Sequence, residues 1–419
     1  MNALTNWKPN NGNMNMPRRD QLAVPLYRAV LIAIATALAL ALLPGLGLST
    51  AQAAQPQRFT PSSSSAAAAY LLMDADSGQL LVAHDIDASR EPASLTKMMT
   101  VYVAGQKLLE GTIFMTDEVR VSQRAWRMTG SRMFLDLNST VSVAALLHGI
   151  IVQSGNDASV ALAEHIAGNE AEFVHMMNRT AWDLGMTRTN FANPTGLPAP
   201  GVQTTARDMA TLSLALLRDH PYLYSLHSIR HFEYNNINQT NRNRLLHRDP
   251  TVDGIKTGYT RAAGYCQTTS AVRDEMRLIA VVLGAGSVAA RTRLNQELLD
   301  YGFSNYETHR LHFRGEPLGA IKVWKARQNE LAYGLNSDIV VTIPRGRLPD
   351  LDQRVSLSLT EPVIGPLLRG QKVGALEISL DGQILAREDV FTMNEAAPAG
   401  FFSQVVDSVR LLLLRSNLL

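Results

Sequence analysis

Apolar and polar positions recur with two different periods along this chain, and the changes of period divide it. The stretch AYLLMDADSGQLLVAHD (Ala69–Asp85) has two apolar runs around Ser77-Gly78, the pattern of a β-hairpin. Helical spacing follows: Pro92 opens a segment in which Leu95, Met98, Met99, Tyr102 and Val103 share one face, and Gly111 closes it. The same spacing returns over Val141–Gly155, Asp157–Gly168, Glu170–Gly185 and Thr205–His220, with Thr205 placed as an N-cap. Strand signals then dominate VDGIKTGYT, GYCQTTSAV and RLIAVVLGA, and a closing helix runs over Ala289–Phe303. A block of helices bracketed by strands predicts an α+β fold, an antiparallel sheet with helices packed on it as an α/β sandwich.

Three further segments differ in character. The Pro, Gln and Ser-rich run QPQRFTPSSSSA predicts a disordered leader over 54–66, so the first domain is expected at 67–308. Short alternating segments separated by Gly, Pro and Asp predict a small all-β domain at 309–394. In the tail, 395–419, Phe401, Phe402, Val405, Val409, Leu412 and Leu413 share one face at helical spacing, while Asp407, Ser408, Arg410 and Arg415 lie mostly opposite. Interior charges make this a better interfacial helix than a bilayer-spanning one, so a membrane surface is the expected partner. The competing expectation is a terminal helix packed on the β-domain.

The N-terminus adds a destination. Arg18, Arg19 and Arg28 precede the apolar run Ala29–Leu48, and Ala51-Gln52-Ala53 follows, the layout of a signal peptide (1–53) cut after Ala53. An uncleaved anchor is the alternative, and both predict an exported protein. Composition excludes little else. With 419 residues, 46% of them hydrophobic and 18% charged, the chain can build packed cores, and a net charge of +2 argues against a nucleic-acid partner. The single Cys266 permits no internal disulfide and lies in a strand-like run, which favours a structural role.

Several chemistries are missing. There is no Gly-x-Ser-x-Gly elbow and no His-Glu-x-x-His pair, and the ten histidines show no metal-ligand spacing. No Gly-rich loop joins a strand to a helix, so neither metal nor cofactor is expected. What remains is three short motifs in order: Ser94-Leu95-Thr96-Lys97, Ser154-Gly155-Asn156 and Lys256-Thr257-Gly258. Taken alone, Ser94 and Lys97 read as a helix cap followed by a solvated lysine. Taken together, the motifs supply what a serine nucleophile requires. A hydroxyl needs a base to take its proton, and Lys97, one helical turn after Ser94, can reach it. The helix N-terminus favours negative charge developing at Ser94. Lys97 acts as a base only when neutral, which requires burial or a nearby cation. Lys256 is the expected cation, and it is also placed to hold Ser154 and attract a substrate carboxylate. Ser154 and Asn156 fall where one helical pattern stops and another begins, on what should be a short exposed turn.

These three motifs, in this order, are the signature of penicillin-binding proteins and serine β-lactamases. With PASLTKMMT, VQSGNDAS, FANPTGL (Phe191–Leu197), NRNRLL (Asn241–Leu246) and VDGIKTGYT, the chain from Ala69 onward resembles the low-molecular-mass penicillin-binding proteins that are D-alanyl-D-alanine carboxypeptidases. The resemblance implies a serine β-lactamase/transpeptidase-like fold followed by a β-domain and an amphipathic anchor. It implies peptidoglycan stem peptides as substrate, β-lactams as covalent inhibitors, and attachment to the periplasmic face of the inner membrane. It also implies roles. Ser94 would be acylated by the penultimate D-alanine carbonyl, with Lys97 as base and Ser154, Asn156 and Lys256 completing the proton network. Backbone N–H groups of Ser94 and Tyr259 would form the oxyanion hole, and Gly258, the last residue of the third motif, would join Tyr259 in binding substrate. Thr257 and Arg242 would bind the terminal carboxylate. Tyr259 stands where some members have His, and a slightly shorter loop leaves Arg242 and Arg244 both open as the carboxylate ligand. A DD-endopeptidase or a β-lactamase would use the same residues, and a non-catalytic peptidoglycan-binding scaffold would need none of them.

Overall fold

The computed structural model describes residues 59–415. The expected signal peptide and the first part of the leader, 54–58, lie outside the described residues. The rest of the leader is ordered, contrary to the expectation of disorder. Ser62 and Ser65 donate their hydroxyls to the Glu297 carboxylate at 2.5 and 2.7 Å, and Phe59 packs on Tyr70 and Tyr301. Partners distant in sequence hold this polar segment, so its composition does not reveal them.

In chain order the first part comprises β1 (Ala69–Asp74), β2 (Leu80–His84), α1 (Thr96–Leu109), β3 (Glu118–Arg120), α2 (Gln123–Trp126), β4 (Thr140–Ser142) and α3 (Val143–His148). There follow α4 (Asn156–Ala167), α5 (Glu170–Asp183), α6 (Ala206–Asp219), α7 (Pro221–Ser225) and the hairpin β5 (His231–Tyr234) and β6 (Ile237–Thr240). Last come β7 (Val252–Thr260), β8 (Gly264–Arg273), β9 (Met276–Ala285) and α8 (Val288–Asn305). Strands β2-β1-β9-β8-β7 form one antiparallel sheet, with Leu71 opposite Val281 and Lys256 opposite Thr268.

The two-residue period of the strands divides this sheet between two cores. Leu71, Met73, Ile279 and Val281 face the helical block of α1, α4, α5 and α6. Tyr70, Leu72, Leu278 and Ala280 face α8, with its Leu294, Leu298 and Leu299. Side chains cap the helices where expected: Thr205 accepts from the Asp208 N–H at the start of α6, and Ser287 from the Ala290 N–H at the start of α8. One expected helix is broken up. Residues 141–155 yield the end of β4, then α3, then a π-helical turn over Gly149–Gln153 that ends at Ser154 with φ +65°.

Helix α8 hands over directly to β10 (Tyr306–His312), ahead of the expected boundary at 309. The β-domain continues as β11 (Pro317–Lys322), β12 (Glu330–Leu335), β13 (Ile339–Pro344), β14 (Leu351–Leu357), β15 (Lys372–Leu380) and β16 (Gln383–Thr392). Strands β11-β12-β16-β15-β14 make one sheet, β10 pairs with β13, and Val341, Ile343, Ile378 and Val390 fill the core. Thr308 donates to the buried Asp74 carboxylate at 2.7 Å, tying this domain to the first sheet.

The tail is helix α9 (Phe401–Arg415), and it rests on the β-domain by its polar edge. Asp407, expected among the solvated positions, is buried and accepts from the Lys325 N–H at 2.8 Å. Leu411 is buried beside it, whereas Phe401, Phe402, Val405, Val409 and Leu412 remain exposed. The tail therefore packs on the β-domain, as the competing expectation had it, while its apolar face points outward. No helix among the described residues is long and apolar enough to cross a membrane.

Candidate active site

Ser94 sits on a single 3₁₀ turn, Ala93–Leu95, that leads into α1. Edge strand β7 crosses directly above this turn. A Cβ on Gly258 would stand 2.9 Å from the Ser94 amide nitrogen, so only glycine lets the strand approach so closely. Gly196 is constrained more strongly: its φ is +76°, and a Cβ there would lie 1.8 Å from the Ala93 carbonyl oxygen.

Lys97, in the first turn of α1, is fully buried. Its Nζ lies 3.1 Å from Ser94 Oγ, 2.7 Å from Asn156 Oδ1 and 2.5 Å from the Thr195 carbonyl oxygen. The last two atoms can only accept. In neutral Lys97 they take both N–H groups and leave the nitrogen lone pair facing the Ser94 hydroxyl. Burial, and secondly the Arg242 charge, bring the Lys97 pKa down to about 7, while Asp157 raises it. Desolvation is thus the leading cause of a neutral Lys97, ahead of any neighbouring cation, while the repulsion between Lys97 and Lys256 is mutual and bears on Lys256. Lys256 is itself buried and held well below the ordinary lysine range by that burial, then by Lys97, Arg242 and Arg291.

The second motif is not on an exposed turn. Ser154 and Asn156 are 2% and 3% exposed, because the π-helical turn folds them under the cleft wall. Asn156 is engaged at both ends of its amide, accepting from Lys97 and donating to the Thr129 carbonyl at 2.6 Å. The Ser154 hydroxyl has no hydrogen-bond partner among the described residues, and Lys256 Nζ donates to the Thr257 carbonyl at 3.0 Å. Ser154 thus lines the cleft, while Lys256 is buried next to the lining Thr257 and makes no bond to Ser154. Thr257 is buried, and Tyr259 is exposed and stacks on Tyr265 at 4.3 Å. Arg242 and Arg244 are exposed along the wall of the same cleft, whose volume is about 860 Å³.

Three contributors were given no role by the sequence, although Asp157 and Asn193 fall within quoted blocks. The Asp157 carboxylate accepts from the backbone N–H groups of Met133, Phe134 and Leu135 at 2.8–3.2 Å and so fixes the loop opposite Ser94. Asn193 accepts from the N–H groups of Thr195 and Gly196, aiming the Thr195 carbonyl at Lys97. Buried Arg291 reaches from α8 to donate to the carbonyls of Gly258 and Cys266 at 3.0 and 3.3 Å, and burial lowers its pKa to about 10. Its one sequence signal is an arginine in phase with Leu294 and Leu298 on the inner face of a helix. Cys266 is buried within β8, and burial pushes its thiol up to about 11, away from reactivity.

Comparisons with known proteins point to one family. Residues 51–287 match the family described as D-alanyl-D-alanine carboxypeptidase, and residues 306–397 match the C-terminal domain of penicillin-binding protein 5. The chain is 41% identical to D-alanyl-D-alanine carboxypeptidase DacA of Haemophilus influenzae, covering 81% of this chain and 87% of that protein. It is 42% identical to DacC of Escherichia coli, over 82% of this chain and 87% of its relative. Among solved structures, penicillin binding protein 5 from Haemophilus influenzae superposes with a TM-score of 0.77 at 41% identity, over 81% of this chain and all of that one.

Proposed function

The chain belongs to the D-alanyl-D-alanine carboxypeptidase family, a serine-type peptidase of the penicillin-binding class, and on that premise we propose how its own residues act. Ser94 attacks the carbonyl of the penultimate D-alanine of a stem pentapeptide, and its hydroxyl proton passes to neutral Lys97. The oxyanion is held by the N–H groups of Ser94 and Tyr259, a pairing supported by the close passage of Gly258 over the Ser94 amide. Collapse of the tetrahedral adduct breaks the peptide bond, and the departing amine takes up the proton held on Lys97, relayed through the Ser154 hydroxyl beside Lys256, which returns Lys97 to its neutral form. The buried, unpartnered hydroxyl of Ser154 supports that relay. Thr257 and Arg242 receive the terminal carboxylate. Water then hydrolyses the ester on Ser94, and a β-lactam acylates the same oxygen.

One observation carries this reading: a fully buried lysine, its pKa brought to about 7, with Nζ 3.1 Å from a serine hydroxyl. Incubation with penicillin followed by intact-mass measurement and peptide mapping tests it. The expected result is one adduct on the peptide containing Ser94, and an unmodified Ser94 peptide overturns the assignment. We further assign 67–305 to the catalytic unit and 306–394 to the β-domain, with the boundary at the start of β10. The protein works on the periplasmic face of the inner membrane, with 395–419 as the anchor. The outward apolar face of α9 and the N-terminal signal pattern support that location.

A further inference from the structure

The wall of the cleft carries more positive charge than one terminal carboxylate requires. Every lining side chain charged at neutral pH is an arginine (Arg242, Arg244 and Arg291), with His231 and His247 beside them and no Asp or Glu among the lining residues. Arg242 and Arg244 make no ion pair or hydrogen bond among the described residues. Their backbone is nevertheless rigidly built. Asn241 and Asn243 are buried and alternate with the two arginines. Asn241 donates to the Ile229 carbonyl at 3.0 Å; Asn243 donates to the Gly254 carbonyl at 2.9 Å and accepts from Gln267 at 3.1 Å. The segment therefore holds Arg242 and Arg244 outward as a pair. His247 is tied to the Asn241 carbonyl at 3.3 Å, and its ring lies 5.7 Å from that of His231.

The two arginines differ in what they act on: the Arg242 charge bears on Lys97, Lys256 and Arg291, whereas that of Arg244 bears on Arg291 alone of these three. One carboxylate saturates one guanidinium fork, so a terminal carboxylate on Arg242 leaves Arg244 unpaired.

We propose that Arg244, flanked by His231 and His247, is a second anion subsite that takes a further carboxylate carried by the leaving half of the substrate. This rests on the reading of Ser94 as nucleophile and Arg242 as holder of the terminal carboxylate. Two sources share that chemistry: an acidic side chain on the leaving D-residue, and the carboxylate-bearing peptide arm of a cross-linked stem-peptide dimer.

The test compares kcat/KM for diacetyl-L-lysyl-D-alanyl-D-alanine, the same peptide ending in D-glutamate, and a cross-linked peptidoglycan dimer. In Arg244→Gln the ratio of the D-glutamate to the D-alanine substrate falls about tenfold, and Arg244→Lys restores part of it. Loss of the D-glutamate preference alone identifies the side chain as the source, and a parallel loss on the dimer identifies the peptide arm. Penicillin acylation of Ser94 in each variant reports that the fold is intact. Ratios unchanged in Arg244→Gln, with acylation retained, overturn the second subsite. A wild-type protein that neither cleaves D-alanyl-D-alanine nor takes penicillin on Ser94 overturns instead the assignment beneath it.

Discussion

Lys97 Nζ stands 3.1 Å from Ser94 Oγ, and its other two contacts are oxygens that can only accept. The geometry thus orients the lone pair, and burial makes that lone pair available. With the Lys97 pKa at about 7, the acylation rate constant rises with pH through about 7 and levels above it. Penicillin acylation measured by stopped flow from pH 5.5 to 9 checks this. An inflection near that of an ordinary lysine, pH ~10.4, removes Lys97 as the base. Lys97→Ala should slow acylation by about 10²–10⁴.

The same depressed pKa has a cost in stability with a definite sign. The unfolded chain binds a proton on Lys97 at a higher pH than the folded one does. Stability from this group is therefore lost as pH falls from the unfolded pKa to about 7, and no more is lost below that. Lys97→Met removes the cost. The gain in Tm over wild type should be larger at pH 6.5 than at pH 9.5 by calorimetry; a pH-independent difference contradicts the buried cation.

Asp157 acts on the site twice, through its backbone bonds and its charge. Asp157→Asn removes acceptor capacity from three loop N–H groups and should destabilise the fold by about 2–4 kcal/mol. Because Asp157 raises the Lys97 pKa, the acylation profile of the variant should move to lower pH. A shift to higher pH refutes that electrostatic role.

Gly196 allows only one residue type at its position. Gly196→Ala adds a Cβ at 1.8 Å from the Ala93 carbonyl and at positive φ, so the turn carrying Ser94 must move. We expect acylation to fall by at least tenfold while the far-UV circular dichroism is retained. Wild-type acylation in this variant contradicts the close packing.

Truncation after Ala399, in protein lacking the signal peptide, should abolish flotation with anionic phospholipid vesicles. Phe401→Ser/Phe402→Ser should weaken it without changing penicillin acylation of Ser94. A truncated protein that still floats rules out α9 as the anchor.

The three motifs were legible because each depends on side-chain identity at fixed spacing, and the helix and strand periods placed the first at the start of α1 and the third on β7, but missed the setting of the second. What the sequence concealed works through the backbone or through distant partners. The Thr195 acceptor is a carbonyl, a group every residue carries, so no residue type signals it. The π-helical turn that buries Ser154 arises within a run whose apolar spacing reads as ordinary helix. Lys97 is kept neutral chiefly by burial, which depends on the whole helical block and not on any one residue type. Glu297 orders residues that composition assigns to a disordered leader, and Lys325 offers an N–H that draws Asp407 inward.

Helix α8 carries Arg291 beneath the cleft near one end and passes into β10 at the other without a linker. Arg291 and Asn305 are fourteen helical steps apart, about 21 Å at the usual rise. The cleft and the β-domain are thus spaced by a covalent ruler instead of a hinge. The height at which the enzyme works above any surface that α9 rests on is a dimension of the molecule, and inserting or deleting one turn of α8 would reset it.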